Sequence, residues 1–449
     1  MTKITIIGAG SYSWGPTFMR DIFVTPELAG ATVCLHDIDA ERLDLNFRLG
    51  QKMLVDFSLN YHLEKTLSLD EALTGADCII LTITTGGLET MRPDLEIPWK
   101  YGIRQSVGDT VGPGGISRAL RNIPVVAEMA RRMEVLCPEA WFLNYTNPMS
   151  VLTRAIDLHR SVKNRTLGLC HEWIGVREKL AVIFGVKPEE VVGQVAGINH
   201  FIWITDLYAA GRRVWDELPA IAERILTGEI DPDAAEGTVF VDKARVKARL
   251  FQFYGALPAA GDRHVAEFLP SILCAETNWG ADFGFKLTST ADRAALMAFE
   301  RELIESVLAG EAPLEPFMQE LSGEAVSPIL SALFSAGRYI GIMNLPNRGQ
   351  ISNLPADVIV ETYGTIDPTG AHAISYGDLP AAVQALVERH VRNQEITVAA
   401  ALGGERRLAL QAMLNDPLTG RLPVDQTRKM LDELLEANRT YLPLFFHNP

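Results

Sequence analysis

Paired cysteines are what this sequence most plainly lacks. Its five cysteines, at 34, 78, 137, 170 and 274, are an odd number without matched spacing, which excludes a disulfide framework and predicts a reducing, cytoplasmic setting. Positive charge is scarce as well: 41 Lys and Arg stand against 56 Asp and Glu, a formal net charge of −15. A nucleic-acid surface needs a basic stripe, so that class of partner is excluded, while a local basic pocket for a cofactor phosphate or an acidic sugar is not. No run approaches the ~18 apolar residues of a membrane span. Met1-Thr2-Lys3 leads directly into a short strand and leaves no room for a signal-peptide core. Repeats, low-complexity tracts and Gly/Ser linkers are missing too. What is present is an ordinary globular composition, 47% apolar and 22% charged, in 449 residues, enough chain for two closely joined lobes.

The N-terminus carries the first pattern. Lys3 to Ile7 is a β-branched run ending in Gly8-Ala9-Gly10-Ser11-Tyr12-Ser13, and an amphipathic segment follows from Thr17 to Phe23. Strand, glycine turn and helix in that order bring backbone N–H groups against a pyrophosphate at a helix N-terminus. Ser13 stands where the third glycine of the fingerprint is usual, with Gly15 just after it. A second strand, Ala31 to His36, ends in Asp37, placed to bond the ribose hydroxyls and to disfavour a 2′-phosphate, so NAD is expected over NADP. The run from Ala76 to Thr85 leads into Gly86-Gly87, a polar loop carrying Thr84 that would lie over the cofactor.

Further on, Gly108-Asp109-Thr110-Val111-Gly112-Pro113-Gly114-Gly115 is too rich in Gly and Pro for regular structure, which predicts a shaped loop holding Asp109 ahead of a helix from Ile116. Arg118 and Arg121 on that helix divide between structure and anion contact. Trp141 to Asn144 reads as a strand whose end bears the amides of Asn144 and Asn147 before Pro148. Turn chemistry explains such amides, and so does fixing a nicotinamide or a sugar hydroxyl. Thr166 to Leu169 then runs into Cys170-His171-Glu172-Trp173. Strands and helices thus alternate over residues 3–170, which implies a parallel, doubly wound sheet whose chemistry sits at the strand C-termini.

Past Val192 the pattern changes. Gly197 to Ile204 reads as an apolar strand with one embedded histidine, His200. Alone, such a residue is more often core than ligand, but Cys170 with His200 forms a soft pair suited to a transition metal more than to magnesium. Leu257 to Phe268 holds Asp262, Arg263, His264 and Glu267, a cluster that could be reactive or simply charge-paired. The final third is mostly helical, at residues 293–308, 325–336, 379–402 and 424–437, around a strand from Val358 to Glu361. Those helices are expected to build a second lobe and a subunit contact. The division is placed between an NAD-binding domain, 1–195, and a C-terminal α+β, mostly helical, catalytic and oligomerisation domain, 196–449.

Taken in order, these segments resemble glycoside hydrolase family 4 over nearly the whole chain. The resemblance rests on the N-terminal glycine turn, the loop from Gly108 to Gly115, Asn144 to Pro148, the Cys170-His171 pair, Gly197 to His200, and Asn353-Leu354-Pro355. Members are NAD-dependent glycosidases whose N-terminal domain is similar to that of lactate and malate dehydrogenases, and they stand apart from the usual two-carboxylate mechanism. The resemblance implies oxidation at C3 of the sugar by NAD, with a divalent metal, typically manganese, polarising the new carbonyl. Loss of the C2 proton, departure of the C1 substituent, addition of water and return of the hydride then follow.

By the same resemblance, Cys170 and His200 match the metal ligands, and His171 the proton donor of α-specific members. Asn147 matches a substrate amide, Asp109 an acid assisting the base, and Asp262 the base itself. Arg92 joins Asn147 among the substrate-binding candidates, and Gly8, Gly10, Ser11, Asp37, Thr84 and Asn144 are the cofactor candidates. A Cys-His start to the metal motif resembles α-glycosidases of unphosphorylated sugars, and Glu172 is closest to those acting on α-galacturonides. Trp173 departs from the usual small aliphatic residue there, so α-galactosides and α-glucosides stay open. The partners expected are a small α-glycoside and further copies of the chain, as a homodimer or homotetramer. Two other classes fit the nucleotide fold: a net dehydrogenase of the lactate or malate type, which would not need Cys170 and His200, and a sensing protein without turnover.

Overall fold

A computed structural model describes residues 2–233, 241–319, 321–335 and 337–446. Its frame is one mixed sheet of thirteen strands. In chain order these are β1 (Lys3–Ile7), β2 (Thr32–His36), β3 (His62–Thr66), β4 (Cys78–Leu81), β5 (Trp141–Asn144), β6 (Thr166–Gly168), β7 (Val191–Ile198), β8 (Phe201–Ala209), β9 (Arg212–Arg213), β10 (Leu257–Pro258), β11 (Tyr339–Pro346), β12 (Ile359–Asp367) and β13 (Gly370–Ala373). The first six pair in parallel in the order β3-β2-β1-β4-β5-β6. That is the dinucleotide-binding order, with a crevice where the winding reverses between β1 and β4.

The expected doubly wound half is therefore present, joined to an α+β half through the sheet itself. β11 pairs antiparallel with β6, β12 with β11, and β7 with β12. One row across these strands reads Gly168, Asn344, Glu361, Gly197, so Cys170 and His200 leave the same region of the sheet with β11 and β12 between them.

Period-two patterning explains both covered faces. Ile4 and Ile6 of β1 and Cys78 and Ile80 of β4 enter one buried cluster, while Ile7, Ile79 and Leu81 enter the other. The first cluster is closed by the helices Trp14–Phe23, Ala40–Asp56 and Val326–Phe334, and the second by Gly112–Leu136 with Ala381–Gly403 and Val424–Ala437. The helix expected over 325–336 ends at Phe334, and Ala336 lies outside the described residues.

Two local expectations change. Residues 197–204 are not one strand: Asn199 and His200 form the turn of the β7–β8 hairpin, where His200 takes the left-handed φ of +63°. The glycine-rich stretch is partly helical, since the helix begins at Gly112 instead of Ile116. Pro113 suits a first turn because its missing N–H would be unbonded there. Gly115 is needed for packing, because a Cβ would lie 2.4 Å from the Thr110 carbonyl carbon. Arg92 and Pro93 lie on a further helix, Gly87–Lys100, despite its two prolines.

Candidate active site

The glycine turn is built for close approach. Gly8 has φ +92°, and a Cβ there would stand 1.8 Å from the Thr82 carbonyl oxygen. At Gly10 a Cβ would meet the Asp37 carboxylate at 2.7 Å, because the Gly10 N–H donates to Asp37 Oδ2 at 2.8 Å. Asp39 N donates to the other oxygen of Asp37 at 3.0 Å. Ser11 N closes onto Gly8 O, and Ser11 Oγ accepts from Trp14 N. Asn46 secures the turn from beneath, its amide donating to the carbonyls of Ala9 and Ser11 at 2.7 and 2.8 Å. Its signal is only a polar residue on a helix face, so it escapes a reading of the sequence. This side-chain-free cradle fits a dinucleotide pyrophosphate, with Asp37 at the ribose position.

Around the switch point, Arg118 reaches from its helix to donate to Asn147 O at 2.9 Å and to Thr84 Oγ1 at 3.0 Å. Arg121, one turn on, is structural: it is fully buried in a bidentate pair with Asp94 at 2.7 and 3.0 Å. Asn144 is also turned inward. Its Oδ1 accepts from Thr146 N and its Nδ2 meets Thr153 Oγ1, so this side chain shapes the turn, leaving no free amide for a nicotinamide. Asn147 does face the site, its Nδ2 lying 3.4 Å from Asp109 Oδ2. Arg92 is exposed on its helix.

Asp109, Thr110, His200 and His264 form the centre. Thr110 donates its hydroxyl to Asp109 Oδ1 at 2.7 Å and lies 2.8 Å from His200 Nδ1. With its proton committed to the carboxylate, Thr110 accepts from Nδ1–H, which leaves the Nε2 lone pair of His200 free. The rings of His200 and His264 lie with centroids 3.8 Å apart, tilted at 40° to each other. Ligand atoms of Asp109, His200 and His264 all lie within 4.8 Å of one another. Burial, then the neighbouring His264, pushes His200 down to about 3, so its ring stays neutral. Burial opposes ionisation of Asp109, but His264 and Arg118 beside it hold it at about 2. The buried His200 and the half-buried His264, with the half-buried Asp109 carboxylate beside them, fit a divalent transition metal, and His264 Nδ1 is shielded from solvent without a partner.

Cys170 stands outside that trio. Burial, followed by the charges of Glu361, Glu172 and Glu324, raises its thiol well above the ordinary value. His171 is half exposed, with its side chain at 50%, and its Nδ1 lies 2.6 Å from the buried Glu324 Oε1. That bond lifts His171 to about 9, so the imidazolium is available as an acid. Glu172 accepts from Gly261 N and lies 3.5 Å from His264 Nε2, tying the Cys170 segment to the helix Asp262–Ala266.

Asp262 departs from its expected role. It is fully buried, accepting from Val246 N at 3.0 Å, Lys247 N at 3.2 Å and Lys247 Nζ at 3.0 Å. The carboxylate is occupied at the start of the helix Arg245–Tyr254. The reactive member of the 262–267 cluster facing the centre is His264, which the sequence singled out without a role.

Fold and site together define an α/β enzyme of the dinucleotide-binding class with a metal-capable centre. The chain belongs to the family 4 glycosyl hydrolases: residues 3–186 match the family model and residues 195–419 its C-terminal domain. It is 37% identical to an α-galacturonidase of Bacillus subtilis (strain 168), the match covering 97% of each chain. A solved Bacillus subtilis structure named as a glucosidase is similar with a TM-score of 0.87 at 34% identity, covering 97% of this chain and 100% of that one. The 6-phospho-β-glucosidase of Thermotoga maritima, whose crystal holds manganese, NAD+ and glucose-6-phosphate, shares the fold at TM-score 0.80 and 22% identity, over 98% and 99% of the two chains. These matches favour the hydrolase over the dehydrogenase and sensor readings. Among the described residues, no helix is long and apolar enough to cross a membrane.

Proposed function

We propose that this chain hydrolyses α-galacturonides, using NAD and a divalent metal, in a reducing compartment and as a homo-oligomer. One observation carries the reading: the glycine cradle with Asp37 and the Asp109–Thr110–His200–His264 cluster both flank the C-terminal ends of the parallel strands. The similarity to α-galacturonidases supports the substrate, and five free cysteines support the compartment.

When bound, NAD and the metal together supply reversible oxidation at C3 and the polarisation that acidifies the C2 proton. Gly8, Gly10 and Ser11 would seat the dinucleotide, Asp37 its ribose, and Thr84 the region near the sugar. His200 and His264 would hold the metal, with Cys170 joining them only as a thiolate. His171, charged by its bond to Glu324, protonates the departing glycosidic oxygen. Asn147 and Arg92 orient the sugar. Because Asp262 is occupied by Lys247 and two amides, we assign the C2 proton to Asp109, an ionised carboxylate beside the imidazoles.

Cleavage of a nitrophenyl α-galacturonide with NAD+ and manganese, run in heavy water, tests this. Deuterium should appear at C2 of the released sugar without net NADH, and a chelator should abolish turnover until manganese is restored. Exchange should persist in Asp262→Asn and fall ~10²–10⁴-fold in Asp109→Asn. Sugar free of deuterium from the wild type would sink the elimination route, and loss of exchange in Asp262→Asn alone would return the base to that residue.

A further inference from the structure

A second concavity opens beyond Asp37. It is a cleft of about 360 Å³ lined on one side by Tyr12, Asp39, Glu41 and Arg42. The other wall, Met297, Ala298 and Arg301, comes from the helix Thr290–Ala309, more than 250 residues away in the chain. The volume is within the range of small-molecule sites, roughly 300–1,000 Å³.

Its chemistry matches one half of a dinucleotide. Asp37, at the end of β2, marks the ribose position. Ile38, directly after it, is 92% exposed, an apolar side chain placed beyond the ribose where a base would pack. The Arg42 guanidinium lies over the Tyr12 ring at 5.4 Å and pairs with Asp39 at 3.2 Å. Across the cleft, Arg301 Nη2 reaches Glu41 Oε1 at 2.8 Å, while its Nε holds Glu305 on its own helix at 2.8 Å. The Glu41–Arg301 pair is the one ion pair joining the two walls among the residues that line the cleft.

We propose that the helix Thr290–Ala309 forms the outer wall of the adenosine half of the dinucleotide site, and that the Glu41–Arg301 pair latches this wall and sets how fast the cofactor leaves. The inference rests on the NAD reading above and adds to it a part of the chain outside the parallel-strand half. It also suits that chemistry, because a hydride that is taken and returned within one turnover gives the cofactor no reason to dissociate between cycles. Both partners are partly exposed, Arg301 at 45% and Glu41 at 75%, so the latch is weak enough to open: exposed pairs are worth up to about five-fold in an equilibrium constant.

Release of NADH from the full-length enzyme, followed by stopped-flow fluorescence on displacement with excess NAD+, tests the latch. Glu41→Gln and Arg301→Gln should each speed release by about five-fold. The double variant should be no faster than either, because both remove the same contact, and Arg301→Lys, which keeps the charge, should stay near the wild-type rate. Unchanged release in both single variants, or fully additive effects in the double, would overturn the latch while leaving the NAD reading intact. A wild-type enzyme that bound no NADH would overturn both.

Discussion

Glu267 follows His264 by three residues and is fully buried. Its Oε1 accepts from Val107 N at 2.8 Å and Gly108 N at 2.7 Å, fixing the loop that presents Asp109, while Oε2 is buried with no acceptor or donor beside it. Burial raises this carboxyl to about 8 against the lowering effect of those amides, so it carries its proton at neutral pH. Glu267→Gln keeps the acceptor and the neutral charge and should fold as the wild type does at pH 7. Glu267→Ala strips two buried amides of their acceptor and should cost about 2–4 kcal/mol, read from denaturant midpoints. The raised value also fixes a sign. Stability contributed by protonated Glu267 is complete below the ordinary carboxylate range and falls as pH rises toward 8, a slope that Glu267→Gln should lose. At this scale the sequence was legible where chemistry is local. Asp37 ends a strand and Asp109 occupies a polar loop. Asn144 and Arg121 present the same residue types, but their partners Thr153 and Asp94 are chosen by packing that no neighbouring residue announces.

Among the elements, the helix Arg245–Tyr254 shows why Asp262 misleads. That helix starts at Ala244 with φ +55° and has no capping side chain of its own. Its first amides are satisfied instead by Asp262, at the start of the helix Asp262–Ala266 that follows β10. A carboxylate bracketed by Gly261, Arg263 and His264 looks reactive, yet Lys247, fifteen residues upstream, holds it with a side chain shared with Asp242. Asp262→Ala would leave Lys247 with one buried partner and two amides with none, and should cost about 3–5 kcal/mol in urea unfolding without cofactor. A loss under ~1 kcal/mol would return Asp262 to the reaction. The β7–β8 hairpin follows the same logic: apolar residues on both sides of Asn199-His200 conceal the turn, because its signature is a backbone angle and not a Pro.

For the whole molecule, the buried core does not divide at residue 195. Both buried clusters mix the halves: one joins Ile7 and Leu152 with Val391 and Met430, the other Ile4 and Leu167 with Ile329 and Met343. The sheet is continuous as well, β6 finding its partner in β11 from near residue 344. Period-two and helical patterning made the layers legible, while the insertion of β11 and β12 between β6 and β7 was not, since strand order depends on long-range pairing that local sequence does not encode. A chain ending at Glu190 would expose the edge of β6 and half of each core. At 25 cal/mol per Å², every large apolar side chain so uncovered forfeits roughly 1.5–3 kcal/mol, and a few of them exceed the ~5–15 kcal/mol that keeps a protein folded. Such a fragment should therefore fail to bind NADH even though it carries Gly8, Gly10 and Asp37, and the intact chain should melt in one calorimetric transition. Two resolved transitions, or a fragment that binds NADH with wild-type affinity, would show that the parallel-strand half folds without the strands and helices that close it here.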